Sequence, residues 1–132
     1  MEKRIINPWR WQDERSYVQA VEVKNPNGTL YISGQAAIET DGTSSKADMR
    51  SQLLHAIENL EEVIAKAEYD LSGIVRLTLY TTSSEELFKH FDILQKWTKD
   101  NQIKQTLSMI EVNALFETLS VELEATVGVF RK

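Results

Sequence analysis

The stretch that decides the fold is "LSVELEATV", residues 119–127. Side chains alternate between the two faces of a strand, so Leu119, Val121, Leu123, Ala125 and Val127 share one face and Glu122 and Glu124 share the other. The apolar face needs a core. The glutamate face needs water or a site, and a sheet with one packed and one wet face is the commonest setting for such a pattern.

Working outward, "IVRLTLYTT" at 74–82 repeats the alternation, with Val75, Leu77 and Leu79 opposite Arg76, Thr78 and Tyr80, and "QTLSMIEV" at 105–112 reads as a further strand before the last, which runs over "LSVELEATVGVF" at 119–130. Upstream, "YVQAVEV" at 17–23 and "TLYISGQAAI" at 29–38 flank the turn formers "KNPNG" at 24–28, which predicts a β-hairpin. The polar loop "ETDGTSSKA" holds a second turn at Asp41 and Gly42. Asp48 is placed to cap a helix in which Met49, Leu53, Ala56, Ile57, Leu60, Val63, Ile64 and Ala67 recur at steps of three and four. Ser83 with Glu86 three residues on forms a capping box, and Leu87, Phe88, Phe91, Leu94 and Trp97 give a second helix its apolar stripe. The predicted order is strand, strand, helix, strand, helix, strand, strand, an α+β arrangement. Two helices, each amphipathic on one side, cover one face of the sheet; the other must meet water or another subunit.

A chain of 132 residues with 42% hydrophobic content builds one core, so a single domain over residues 1–132 is expected. Fifteen basic against twenty acidic residues give a formal charge of −5, which offers a phosphate backbone no general attraction; no nucleic-acid partner is expected. The absence of cysteine excludes disulfides, thiolate metal sites and a cysteine nucleophile. "MEKRIINPWRWQDERSYVQ" lacks an apolar core of signal-peptide length and no apolar run reaches membrane-spanning length, which predicts a cytoplasmic protein with no membrane partner. The "NGT" sequon at Asn27–Thr29 then reads as a turn.

His55 and His90 stand 35 residues apart without metal-ligand spacing, and structural or surface roles are expected for both. No glycine-rich phosphate loop exists, and Ser33 lacks a GxSxG elbow, so neither a cofactor, a metal nor a serine nucleophile is expected. Trp9 and Trp11 flank a polar stretch and either anchor the terminus or line a pocket; anchoring is the simpler reading. Tyr17 opens a strand where its phenol could donate to a ligand.

Taken together, "YVQAVEV", "YISGQAAI", "DG", "DMRSQLLHAIENLEEVIAKA", "LSGIVRLTLYTT" and "VELEATV" resemble the Rid (reactive intermediate deaminase) family, also called the YjgF family, from about residue 15 to the C-terminus. The resemblance implies a chorismate mutase-like fold with two helices on one face of a mixed sheet, and a homotrimer whose sheets join into a central barrel. It also implies a small-molecule cleft between subunits. By position, Glu122 is the glutamate that positions water in that cleft, with Tyr17 and the backbone around Ser33 and Gly34 beside it. Family members that deaminate 2-iminoacids carry an arginine whose planar fork holds the substrate carboxylate. Counting back from Glu122 without gaps puts Leu107 at that position, and leucine cannot bind a carboxylate. Arg76 and Lys104 are the candidate substitutes.

Glu122, Glu124 and, from the strand taken as adjacent, Glu111 would make the cleft acidic and favour an uncharged or cationic ligand. Three readings compete: a hydrolase or deaminase of a small nitrogen-containing metabolite with Glu122 as base, a metabolite-binding or regulatory trimer without chemistry, and, weakest for an acidic chain, an endoribonuclease. An open pocket beside Glu122 distinguishes the first; a pocket filled by Leu107 and Met109 distinguishes the second.

Overall fold

The computed structural model describes residues 2–24 and 27–129, with Glu2 described in its backbone only. Residues 25 and 26 of the predicted "KNPNG" turn, and Phe130 at the end of the predicted last strand, lie outside the described residues. In chain order the elements are β1 (Glu2–Ile6), a 3-10 turn (Trp11–Arg15), β2 (Ala20–Lys24), β3 (Thr29–Ala36), α1 (Met49–Lys66), a short 3-10 turn (Leu71–Gly73), β4 (Ile74–Thr81), α2 (Ser84–Phe88), α3 (Phe91–Asp100), β5 (Thr106–Glu111) and β6 (Val121–Gly128). Four strands form a mixed sheet in the order β3-β6-β4-β5, in which β4 and β5 run parallel and β6 runs antiparallel to both its neighbours.

The predicted hairpin does not form. β2 pairs instead with β1, from Glu2↔Lys24 to Ile6↔Ala20, while β3 pairs with β6. Alternation identifies a strand but not its partner, and β1, "EKRII", carries too few apolar residues to announce itself.

The odd positions of β6 pack as their alternation requires: Val121, Leu123 and Val127 are fully buried, and Ala125 nearly so. They meet Leu77 and Leu79 of β4, Ile32 of β3, and the apolar stripe of α1, where Leu53, Ala56 and Leu60 are inaccessible to solvent. Each buried leucine contributes roughly 1.5–3 kcal/mol relative to leaving it exposed. In β4 the register slips between Ile74 and Arg76, leaving Val75 as the extra residue of a bulge, so Ile74 rather than Val75 enters the core.

Asp48 caps α1 by accepting from the Ser51 backbone N–H at 2.9 Å, and the Ser51 hydroxyl together with that N–H holds its carboxyl below the usual carboxylate range. Only one arm of the predicted capping box forms. Ser83 Oγ accepts from the Glu86 N–H at 3.2 Å, but the Ser83 N–H goes to Thr81 Oγ1 and the Glu86 carboxylate faces Lys89 and His90. The second predicted helix is divided at Lys89 and His90 into α2 and α3, which sets Phe88 and Phe91 side by side with ring centroids 6.0 Å apart.

The helices and core occupy one face of the sheet. The opposite face carries Arg76, Thr78 and Tyr80 of β4, Glu122 and Glu124 of β6, and Tyr31 of β3, which is 80% exposed.

Candidate functional site

Glu122 stands opposite Tyr80 on β4 and Ala36 on β3, on the helix-free face. Its side chain is half-buried. β3 bulges between Ile32 and Gln35, and at Gly34 a Cβ would overlap the Glu122 carboxylate and its Cγ. The carboxylate therefore lies across the strand over Gly34, next to the exposed Ser33. Ser33, Gly34 and Glu122, named from the sequence as parts of one site, come together.

Glu124, one pleat away, is exposed and accepts from the Tyr80 phenol at 3.3 Å. Partial desolvation, then the Glu124 charge and the hydrogen bond to it, hold that phenol above its usual range, with Arg76 opposing. Arg76 thus sits on the glutamate face, opposite Thr106 and Thr126, and makes no ion pair among the described residues. Glu111, expected beside these glutamates, does not join them. β4 lies between its strand and β6, and its carboxylate accepts from the Ser84 N–H at 2.7 Å and the Ser84 hydroxyl at 2.8 Å, capping α2 and holding the carboxyl below its usual range.

Leu107 and Met109 take the other face. Leu107 is in register with Leu77, and both Leu107 and Met109 pack against the core. With Glu14, Arg15, Tyr17, Phe88, Phe91 and Gln95 they line an open cavity of about 420 Å³. Tyr17, Leu107 and Met109 are therefore brought together, but not with Glu122, and the cavity is lined rather than filled by Leu107 and Met109. Arg76 cannot serve this cavity within one chain. Lys104 precedes β5 and lines an adjoining cavity of about 820 Å³ with Ile5, Asn7 and the end of α3. Trp9 and Trp11 stack with centroids 6.0 Å apart, and Trp11 meets the Tyr17 ring edge-on at 6.2 Å.

Sequence reasoning missed the wall that Arg15, Phe88, Phe91 and Gln95 give this cavity. The two phenylalanines read as part of a helix stripe, and only the division between α2 and α3 turns them to the cavity. His55 lies 3.9 Å from Glu39, and His90 caps α3 near Glu86 and Arg50. Among the described residues no group of three or more His, Asp or Glu side chains is arranged to hold a metal ion.

A mixed four-stranded sheet with helices on one face and a polar, helix-free face opposite is the chorismate mutase-like, YjgF-like α+β fold. The family model described as endoribonuclease L-PSP matches residues 10–129, and the chain belongs to that family, the Rid or YjgF family. A RutC family protein of Buchnera aphidicola subsp. Schizaphis graminum is 31% identical over 110 residues, 83% of this chain and 84% of that protein. One of Aquifex aeolicus is 29% identical over 108 residues, 82% of this chain and 84% of that protein. Among solved structures, the Yersinia pestis Rid-family protein YyfB, of unknown function, superposes with a TM-score of 0.85 at 28% identity, covering 98% of this chain and all of that one. Escherichia coli TdcF, solved with bound serine, shares the fold with a TM-score of 0.70 at 22% identity over 85% of this chain and 87% of that one.

Proposed function

We propose that this protein is a Rid-family homotrimer, one domain over residues 1–132, that binds a small nitrogen-containing metabolite in clefts between subunits and hydrolyses it with Glu122 activating water. The observation that carries this reading is the Glu122 carboxylate lying over Gly34 on the helix-free face. A glutamate serving only solvent needs no glycine beneath it. Water gives one proton to Glu122 as its oxygen adds to the C=N carbon, and Glu122 passes that proton to the nitrogen; the carbinolamine hydroxyl then gives its proton through Glu122 to the same nitrogen as C=O forms and the C–N bond breaks, releasing ammonia.

The trimer is supported by the division of the site. Glu122 and the Tyr17 cavity stand on opposite faces of one sheet, so a cleft holding both needs two chains, with a neighbour against the helix-free face. Light scattering is expected to give the mass of three chains, and a monomer at micromolar concentration would remove the cleft. In a screen of small imines and enamines, Glu122→Gln is expected to abolish turnover that Glu124→Gln largely keeps; equal effects would return both glutamates to a wet sheet face.

Short 2-iminoacids are left out of the substrate class because Leu107, at the position where the resemblance expects an arginine, offers their carboxylate no partner there. Ribonuclease activity, suggested by the family model's description, is left out because the chain's charge of −5 gives RNA no purchase. The cytoplasmic location expected from the sequence stays part of the reading; among the described residues no helix is long and apolar enough to cross a membrane. A second reading, a metabolite-binding trimer without chemistry, is favoured by one observation: Leu107, Met109, Phe88 and Phe91 give the cavity an apolar lining with Glu122 on the other face.

A further inference from the structure

We infer that the cavity between the 3-10 turn, α2, α3 and β5 binds a monocarboxylate with its polarity set by Arg15: the carboxylate at the mouth on Arg15 and Tyr17, the apolar tail against Phe88, Phe91, Leu107 and Met109. This deepens the reading above and rests on it for the protein's being a small-molecule binder, but not for catalysis by Glu122.

The cavity volume of about 420 Å³ falls within the roughly 300–1,000 Å³ of small-molecule sites, and the pattern of an apolar lining with few polar groups is theirs also. Arg15 belongs to a fixed backbone. The carbonyl before it, of Glu14, accepts from Gln95 Nε2 at 3.1 Å, and the carbonyl after it, of Ser16, accepts at 3.1 Å from Nε2 of Gln105, itself 1% exposed. Ser16 turns the chain in the left-handed region, φ 63°, so that Arg15 and Tyr17 both reach the cavity. The guanidinium rests 5.0 Å from the centre of the Trp11 ring, a contact that orients it while leaving its N–H groups for another acceptor. Among the described residues Arg15 has no ion pair or hydrogen bond, and the Tyr17 phenol has no hydrogen bond. Two unpaired donors thus converge on a cavity whose floor is apolar.

Glu14, also at the wall, makes a second negative charge on the ligand unfavourable, which selects a monocarboxylate over a dicarboxylate. The orientation is the reverse of one with a cation at position 107. A tail, not a carboxylate, meets Leu107.

Titration calorimetry on the full chain tests this with 3-phenylpropanoate, its uncharged amide and 2-phenylethylamine. The acid is expected to bind at least tenfold tighter than the amide. Arg15→Gln should erase that preference while leaving amide affinity within about twofold, Arg15→Lys should restore part of it, and Arg10→Gln, an equal loss of charge nearby, should leave it intact. Met109→Trp, which fills the cavity, should weaken acid and amide alike. No binding of the acid at millimolar concentration, equal affinity for acid and amide, tighter binding of the amine, or a preference that survives Arg15→Gln would each overturn the inference. A monomer in light scattering, or no turnover of any imine, alongside Arg15-dependent binding of the acid would overturn the function proposed above and leave this assignment standing.

Discussion

The Glu122 carboxylate fills the space that a side chain at Gly34 would occupy, although the two residues belong to different strands. Gly34→Ala is therefore expected to displace Glu122 rather than unfold the sheet, because the atoms in the way belong to a flexible side chain. The overpacking cost should be about 1–2 kcal/mol by chemical denaturation. In a Glu122→Ala background the same substitution should cost clearly less, since the two positions share one space. Additive effects would mean that Glu122 spends little time over Gly34.

Gln105 is buried, with Nε2 donating to the Ser16 carbonyl and Oε1 finding no partner among the described residues. Gln105→Leu removes that unpaired acceptor but strips the Ser16 carbonyl of its donor. We expect a net loss of about 1 kcal/mol, with a larger fall in the acid-over-amide preference attributed to Arg15. Equal loss of acid and amide binding would show that Gln105 holds only the fold.

Much of the sheet was legible because burial follows a period. The residues of "LSVELEATV" keep their two faces in the structure, and Asp48 caps α1 as its position before a 3.6-period run predicts. Pairing was not legible: nothing within residues 17–38 says that β2 turns to β1, a choice made by the whole sheet. For the site, the resemblance named Glu122, Ser33 and Gly34, and the structure adds why they meet, a bulge that no single-strand pattern encodes. Arg15 was invisible for another reason. Its position depends on Gln95 and Gln105, two amides far along the chain that sequence reads as ordinary polar residues.

Acid sensitivity should include a contribution from Glu111. Its carboxyl is held below the usual range by the Ser84 backbone and hydroxyl hydrogen bonds, so in the folded protein it stays ionised at a pH where the unfolded chain has already taken up the proton. That stabilisation is complete above the ordinary value of about 4.5 and is lost as pH falls through the lower folded value. Glu111→Gln should flatten the dependence of melting temperature on pH below about 4.5 relative to the parent. An unchanged slope would place the acid response elsewhere, with Asp48 and Asp92, whose carboxyls are also held low, as the next candidates.

The last prediction concerns the substrates this chain should refuse. Short 2-iminoacids, generated in place by an amino-acid oxidase or a threonine dehydratase, present a carboxylate without an apolar tail. The position where the resemblance expects an arginine is Leu107, which faces Leu77 and the core side of the sheet, while Arg76 lies on the opposite face. Losing a charge-assisted bidentate contact costs roughly 2–4 kcal/mol, about 30- to 1,000-fold in rate, so no acceleration over the spontaneous hydrolysis of these iminoacids is expected. Measuring released ammonia with and without the protein decides it. Strong acceleration would overturn the assignment, and variants then locate the cation responsible: loss on Arg15→Gln would place it at the cavity mouth of the same chain, whereas loss on Arg76→Gln would place it on the helix-free face, where only a neighbouring subunit could bring it to Tyr17.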